Sequence, residues 1–157
     1  MRMRGVTAVL TVLAGAEAAA QGFTTAAEVR PILEATRGMW VALRPWEGAE
    51  LLYFTHLESW RCGIDEIRYA VNDGEEVVWP VEPCFEGTAA PNALGPDRLP
   101  FTRLPADLVQ TVAVTVILDD GSAMTAAFDR AAILCGDGAP VEARRFGGGA
   151  SLPPRGG

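Results

Sequence analysis

WRCGIDEIRYAVNDGEEVVWPVEPC, residues Trp60 to Cys84, is the stretch whose reading decides the fold. Asn72-Asp73-Gly74 has the composition of a three-residue hairpin loop, a type I turn followed by Gly in the left-handed region. That loop opposes Val71 to Glu75, and the pairing carries outward. Tyr69 then faces Val77, Ile67 faces Trp79 and Asp65 faces Val81, with side chains on one apolar face. The other face sets Ile64, Glu66, Arg68 and Ala70 against Glu82, Pro80, Val78 and Glu76, and is mainly polar or small.

The same register places Cys62 opposite Cys84. At a non-hydrogen-bonded ladder position the Cα atoms approach to ~4.5 Å, near the lower limit for a disulfide. A bridge here closes a loop of about 22 residues, for which chain entropy suggests roughly 3 kcal/mol. Pro83 cannot donate to a ladder. The strand is therefore expected to end near Val81, with the disulfide just beyond it.

The N-terminus fits an oxidising destination. Met-Arg-Met-Arg precedes an apolar run from Val6 to Ala16, and Ala18-Ala19-Ala20 supplies the small residues of a signal-peptide cleavage site. The apolar run is shorter than the ~20 residues that span a bilayer. Residues 1–20 are read as a signal peptide, cut after Ala20, and the mature chain is expected to be periplasmic or secreted, with no membrane span. Loss of Arg2, Arg4 and Glu17 takes the formal charge from −7 to −8. Every basic residue is Arg, and the acidic balance disfavours nucleic acid and anionic membrane as partners.

Thr25-Ala26-Ala27-Glu28 has the form of a capping box, and Val29, Ile32, Leu33 and Thr36 follow at helical spacing. Gly38 is the expected C′ residue, and Pro31 is expected to make the helix irregular or kinked. Trp40–Trp46 and Ala49–Leu57 read as strands around Glu47-Gly48. A two-residue loop would pair Leu43 with Leu52; a three-residue loop would pair Arg44 with Glu50, exchanging the faces. Tyr53 and Phe54 must point to opposite faces.

Phe85 to Asp107 carries Pro91, Pro96, Pro100 and Pro105 and reads as a long crossing loop anchored by Phe101 and Leu104. Val109–Leu118 is the clearest strand. Asp119-Asp120-Gly121 repeats the hairpin chemistry and sets Val116 against Met124, Val114 against Ala126, Val112 against Phe128 and Thr115 against Thr125. Arg130–Cys135 reads as a short last strand. Residues 136–157, rich in Gly and Pro, are expected to be flexible. The expected fold is mainly β: an antiparallel β-sandwich or curved sheet built of hairpins within residues 21–135, with one N-terminal helix.

Little in this chain specifies catalysis. His56 is the only histidine, and a lone imidazole does not supply a clustered zinc site. Ser59, His56 and Asp65 lie close in sequence but carry no nucleophile-elbow pattern. Glu66, Glu76 and Glu82 share a face beside Arg68, as surface ion pairs do. Asp73, Asp119 and Asp120 sit in turns and lack EF-hand spacing. Cys135 is left over, and no Cys-x-x-Cys motif is present. No catalytic residue, metal or cofactor is expected.

Trp46 and Trp60, near strand ends, with Arg61 beside one of them, are the candidate binding residues. Trp40, Trp46, Trp60 and Trp79, with Tyr53 and Phe85, are numerous enough for a stacking platform, but Trp79 already faces the core and small domains rely on large aromatics for burial. The expected role is a non-catalytic binding or accessory module of the cell envelope, with a protein or carbohydrate partner. The alternative is a small hydrolase using two carboxylates. N-terminal sequencing of exported protein should begin at Gln21; a start at Met1 contradicts the compartment argument.

Overall fold

A helix stop, four turns and one disulfide organise the chain seen in a computed structural model, which describes residues 22–135. The signal peptide and the Gly/Pro-rich tail expected from the sequence lie outside the described residues. Helix α1 (Ala26–Ala35) starts at the capping box: the Glu28 carboxylate accepts the Thr25 amide at 3.2 Å and the Thr25 hydroxyl at 3.0 Å. Asp119 adds a second cap from across the fold, accepting the Ala26 amide at 2.8 Å, where a carboxylate complements the helix N-terminus. The helix runs through Pro31 and stops at Thr36, whose hydroxyl donates back to Ile32 O. Gly38 is not the C′ residue; it lies inside a 3-10 turn, Arg37–Met39.

Strands β1 (Ala42–Trp46) and β2 (Ala49–Tyr53) follow. Leu43 pairs with Leu52 and Trp46 with Ala49, so the two-residue loop holds. Glu47 and Gly48 both have positive φ, 46° and 71°, the backbone of the tight turn that matches strand twist. Leu43 and Leu52 are buried, and Tyr53 and Phe54 part as expected: Phe54 is buried and Tyr53 packs on Phe101. Both strands are shorter than the sequence suggests. Trp40 precedes β1, and the chain after Tyr53 turns into the short helix α2 (Thr55–Glu58).

A 3-10 turn, Arg61–Gly63, leads into β3 (Ile64–Val71), which pairs with β4 (Val77–Trp79). The register is the expected one: Ile67 with Trp79, Arg68 with Val78, Tyr69 with Val77. The turn differs. Asn72, not Gly74, takes the left-handed conformation, at φ 56°. Asn tolerates that region, and its side chain explains the choice: Nδ2 donates to Leu108 O, and Oδ1 accepts the Gln110 and Thr111 amides. Asp65 falls at a register shift between Ile64 and Glu66 on the β6 side. β4 ends at Trp79, two residues short of the expected Val81, and the Asp65–Val81 pair does not form. Cys62 and Cys84 are nevertheless bridged, with Cα atoms 5.0 Å apart, two residues before β3 and five after β4.

The proline-rich segment is not all loop. Its end forms β5 (Phe101–Pro105), which pairs with β2 through Tyr53 and Phe101. β6 (Thr111–Leu118) and β7 (Ala123–Asp129) make the last hairpin in the expected register, with Gly121 at φ 78°. Arg130–Ile133 is a short helix, α3, rather than a strand; Leu134 then bridges to Leu43 in parallel.

The result is mainly β: two antiparallel sheets, β1-β2-β5 and β4-β3-β6-β7, in a sandwich-like arrangement. Val29 and Leu33 from α1, Leu43 and Leu52 from the first sheet, and Ile67, Trp79, Val114 and Val116 from the second share one core. Gly63 marks where α1 crosses the entry to β3. A Cβ there would lie 2.7 Å from Thr25 O and 2.7 Å from Val29 Cγ2. Gly63→Ala should lower unfolding free energy by about 1–3 kcal/mol through overpacking, read as a lower urea midpoint at unchanged slope. An unchanged midpoint would contradict this packing.

Candidate functional site

Residues 54–63 carry the chain from β2 into β3 through α2 and a 3-10 turn, and their side chains divide between core and surface. Phe54 donates its amide to Pro100 O, and α2 then brings Leu57 and Glu58 into the interior. Glu58 is fully buried. Its carboxylate accepts the Trp79 indole N–H at 2.6 Å and is paired with Arg98, whose guanidinium also lies 5.3 Å from the Trp79 ring. A buried charge is tolerable only with such partners.

Arg61 is buried as well, at 3% exposure. Its guanidinium donates to carbonyls from three segments: Glu58 O, Glu82 O and Pro83 O, Asn92 O and Ala93 O. The planar fork of Arg suits this role. Asn92 extends the same knot, donating to Gly22 O and Phe23 O and accepting the Cys62 amide. Arg61 therefore holds the fold together and is not presented to solvent beside Trp60.

The opposite side of the turn borders a cleft of about 450 Å³. Met39, Trp40, Val41 and Ala42 line it from β1 and the turn before it, Tyr53, Thr55, His56 and Ser59 from β2 and α2, and Arg44 and Cys135 complete it. Trp40 is anchored from below, its indole N–H donating to Leu33 O at 3.0 Å. Burial holds the His56 pKa below the usual imidazole value, and its Nε2 lies 2.8 Å from the Thr36 hydroxyl. Ser59 donates its hydroxyl to Thr55 O at 2.8 Å. Ser59 and His56 do not hydrogen-bond to each other, and Asp65 is on β3, so the three form no triad.

The residues expected at a binding site are dispersed. Trp46, at the β1–β2 turn, is 44% exposed, with the Arg44 guanidinium 4.7 Å from its ring centre. Trp60 is half-buried, edge-on to Phe23 at 5.3 Å, and its indole N–H is buried with no partner. It borders a second, smaller groove of about 320 Å³ against residues 88–93, and Ser59 lines both.

The turn carboxylates have local tasks: Asp120 accepts the Ser122 amide and pairs with Arg30. The second buried carboxylate, Glu50 on β2, is paired with Arg130 and accepts the Val109 amide. Burial raises its pKa, but the guanidinium and the amide outweigh that and leave it lowered. Among the described residues no group of three His, Cys, Asp or Glu side chains could hold a metal ion.

Comparison with protein-family models, with curated proteins and with solved structures found no match to this chain. The fold and the site therefore define only a class: a small, disulfide-linked antiparallel β domain with an apolar cleft. His56 was readable as a residue but not as part of that cleft. The signal that could have found it is the helical spacing of Thr55 with Ser59 and of Leu57 with Arg61.

The folded state disfavours protonated His56, so the unfolded chain binds more protons in acid. The stability held above pH 6.5, the ordinary imidazole value, is lost as pH falls from there through the lower folded value. An NMR titration of the single imidazole should give a midpoint below 6.5; a midpoint at or above it contradicts the burial.

Proposed function

We propose that this chain is an exported, non-catalytic binding module of the cell envelope and that the cleft beside Trp40 is where it binds. The observation that carries the reading is the cleft's chemistry. It is walled mainly by apolar and aromatic side chains, with a few polar groups at its edge, the usual make-up of a small-molecule site. The hydroxyl of Ser59 is committed to Thr55 O, and His56 to Thr36, so the two do not form a hydroxyl–imidazole nucleophile pair.

The Cys62–Cys84 bridge supports an oxidising compartment, and no helix among the described residues is long and apolar enough to cross a membrane. Both are compatible with the signal-peptide reading of residues 1–20. The hydrolase alternative needs two carboxylates facing across a pocket. Glu50 and Glu58, the buried ones, are each neutralised by an arginine, and among the described residues no carboxylate lines the cleft.

A library of anionic, cationic and neutral fragments, screened by amide chemical shifts on the full chain, tests the proposal. Binders should perturb residues 39–44, 53–59 and 135 together and leave the outer face of β7 unmoved. Fragments that bind elsewhere, or nowhere, would contradict it.

A further inference from the structure

We propose that the cleft takes small apolar carboxylates, with Arg44 as the group that engages the carboxylate. The inference rests on the cleft being a binding site and adds the ligand's chemical class. Its first support is electrostatic. The chain carries 20 acidic against 13 basic residues, yet among the described residues Arg44 is the only Arg, Asp or Glu lining the cleft. A hollow whose one described charge is positive, on an acidic protein, favours anions locally. His56, its pKa lowered by burial, adds no second cation at neutral pH.

The second support is the state of the guanidinium. Among the described residues the other arginines are committed. Arg30, Arg68, Arg98 and Arg130 pair with carboxylates. Arg37, Arg61 and Arg103 donate to backbone carbonyls. Arg44 makes no hydrogen bond or ion pair with the other described residues; its guanidinium stacks on Trp46, 4.7 Å from the ring centre. Trp46 lies two residues on, so both side chains leave the same face of β1. The tryptophan fixes the guanidinium without consuming a donor, and a planar fork with its N–H groups free fits a carboxylate in bidentate fashion.

The third support is the shape of the rest. Ala42 shares the Arg44 face of β1, and Tyr53, its partner across the ladder, shares that face too. Ala42 and Tyr53 continue the surface from Arg44 toward Trp40, Met39 and Val41. A ligand held there presents a charged head to Arg44 and an apolar body to Ala42, Tyr53 and Met39. The volume, about 450 Å³, suits a small acid.

The test compares 4-phenylbutyrate, 4-phenylbutyramide and 4-phenylbutylamine by calorimetric or NMR titration of the full chain at low salt. The acid should bind at least about tenfold more tightly than the amide, the amine should bind worst, and added salt should erode the acid's advantage. Arg44→Gln should reduce acid affinity to the amide's level, whereas Arg103→Gln, an arginine on β5 outside the cleft, should leave the preference intact. Arg44 is exposed, so an unchanged melting curve certifies the variant. Equal binding of acid and amide, or an acid preference that survives Arg44→Gln, overturns the carboxylate assignment alone. Failure of all three probes to bind the cleft overturns both this assignment and the binding-site reading.

Discussion

The Arg61 guanidinium, buried among carbonyls of three chain segments, is the constraint on which the rest of the structure depends. Glu58 O belongs to α2, Glu82 O and Pro83 O to the exit from β4, and Asn92 O and Ala93 O to the proline-rich crossing. None of these carbonyls sits in a ladder. One planar cation satisfies them together. The Cys62–Cys84 bridge works beside it, joining the residue after Arg61 to the chain two residues beyond Glu82. Covalent closure restricts the unfolded chain; the guanidinium decides where the closed loop lies when folded.

That knot also shapes the cleft. Over residues 55–61 the backbone makes barely two turns, and its two sides have different fates. Leu57, Glu58 and Arg61 go inward; Thr55, His56 and Ser59 border the cleft. Glu58 locks the turn to Trp79 and to Arg98, so the second sheet and the crossing segment are tied to the same short helix. Two buried ions on one turn are costly to desolvate. Their partners lie on distant segments, so they order this part of the fold and with it one wall of the cleft.

Much of the architecture was legible because local chemistry and tertiary packing agree. Thr25 and Glu28 form the capping box, Asp119-Asp120-Gly121 makes its hairpin with Gly121 left-handed, and the register through Ile67–Trp79 puts the cysteines in reach of each other. The misses have a common cause: a distant partner overrode the local signal. Asn72 takes the left-handed turn position because its amide is bonded to residues 108–111. β5 hides in a proline-rich run because a short edge strand tolerates Pro at its end, as Pro105 does. His56 was assigned to a strand because Leu52 to Leu57 has no breaker, and the turn there is imposed by Glu58 and Arg61. Arg61 itself reads as surface in any local window; only the carbonyls brought from residues 82–93 make it interior.

The most direct measurement is amide hydrogen exchange on the Arg61→Lys variant beside the parent chain. Lysine keeps the charge but has three donors and no planar fork, so it cannot serve all five carbonyls. The account predicts faster exchange at the Gly63, Phe85 and Ala93 amides, with the β6–β7 ladder protected as in the parent. Unchanged protection around Gly63 and Ala93, or an equal loss across both sheets, would contradict the claim that this one guanidinium organises the knot.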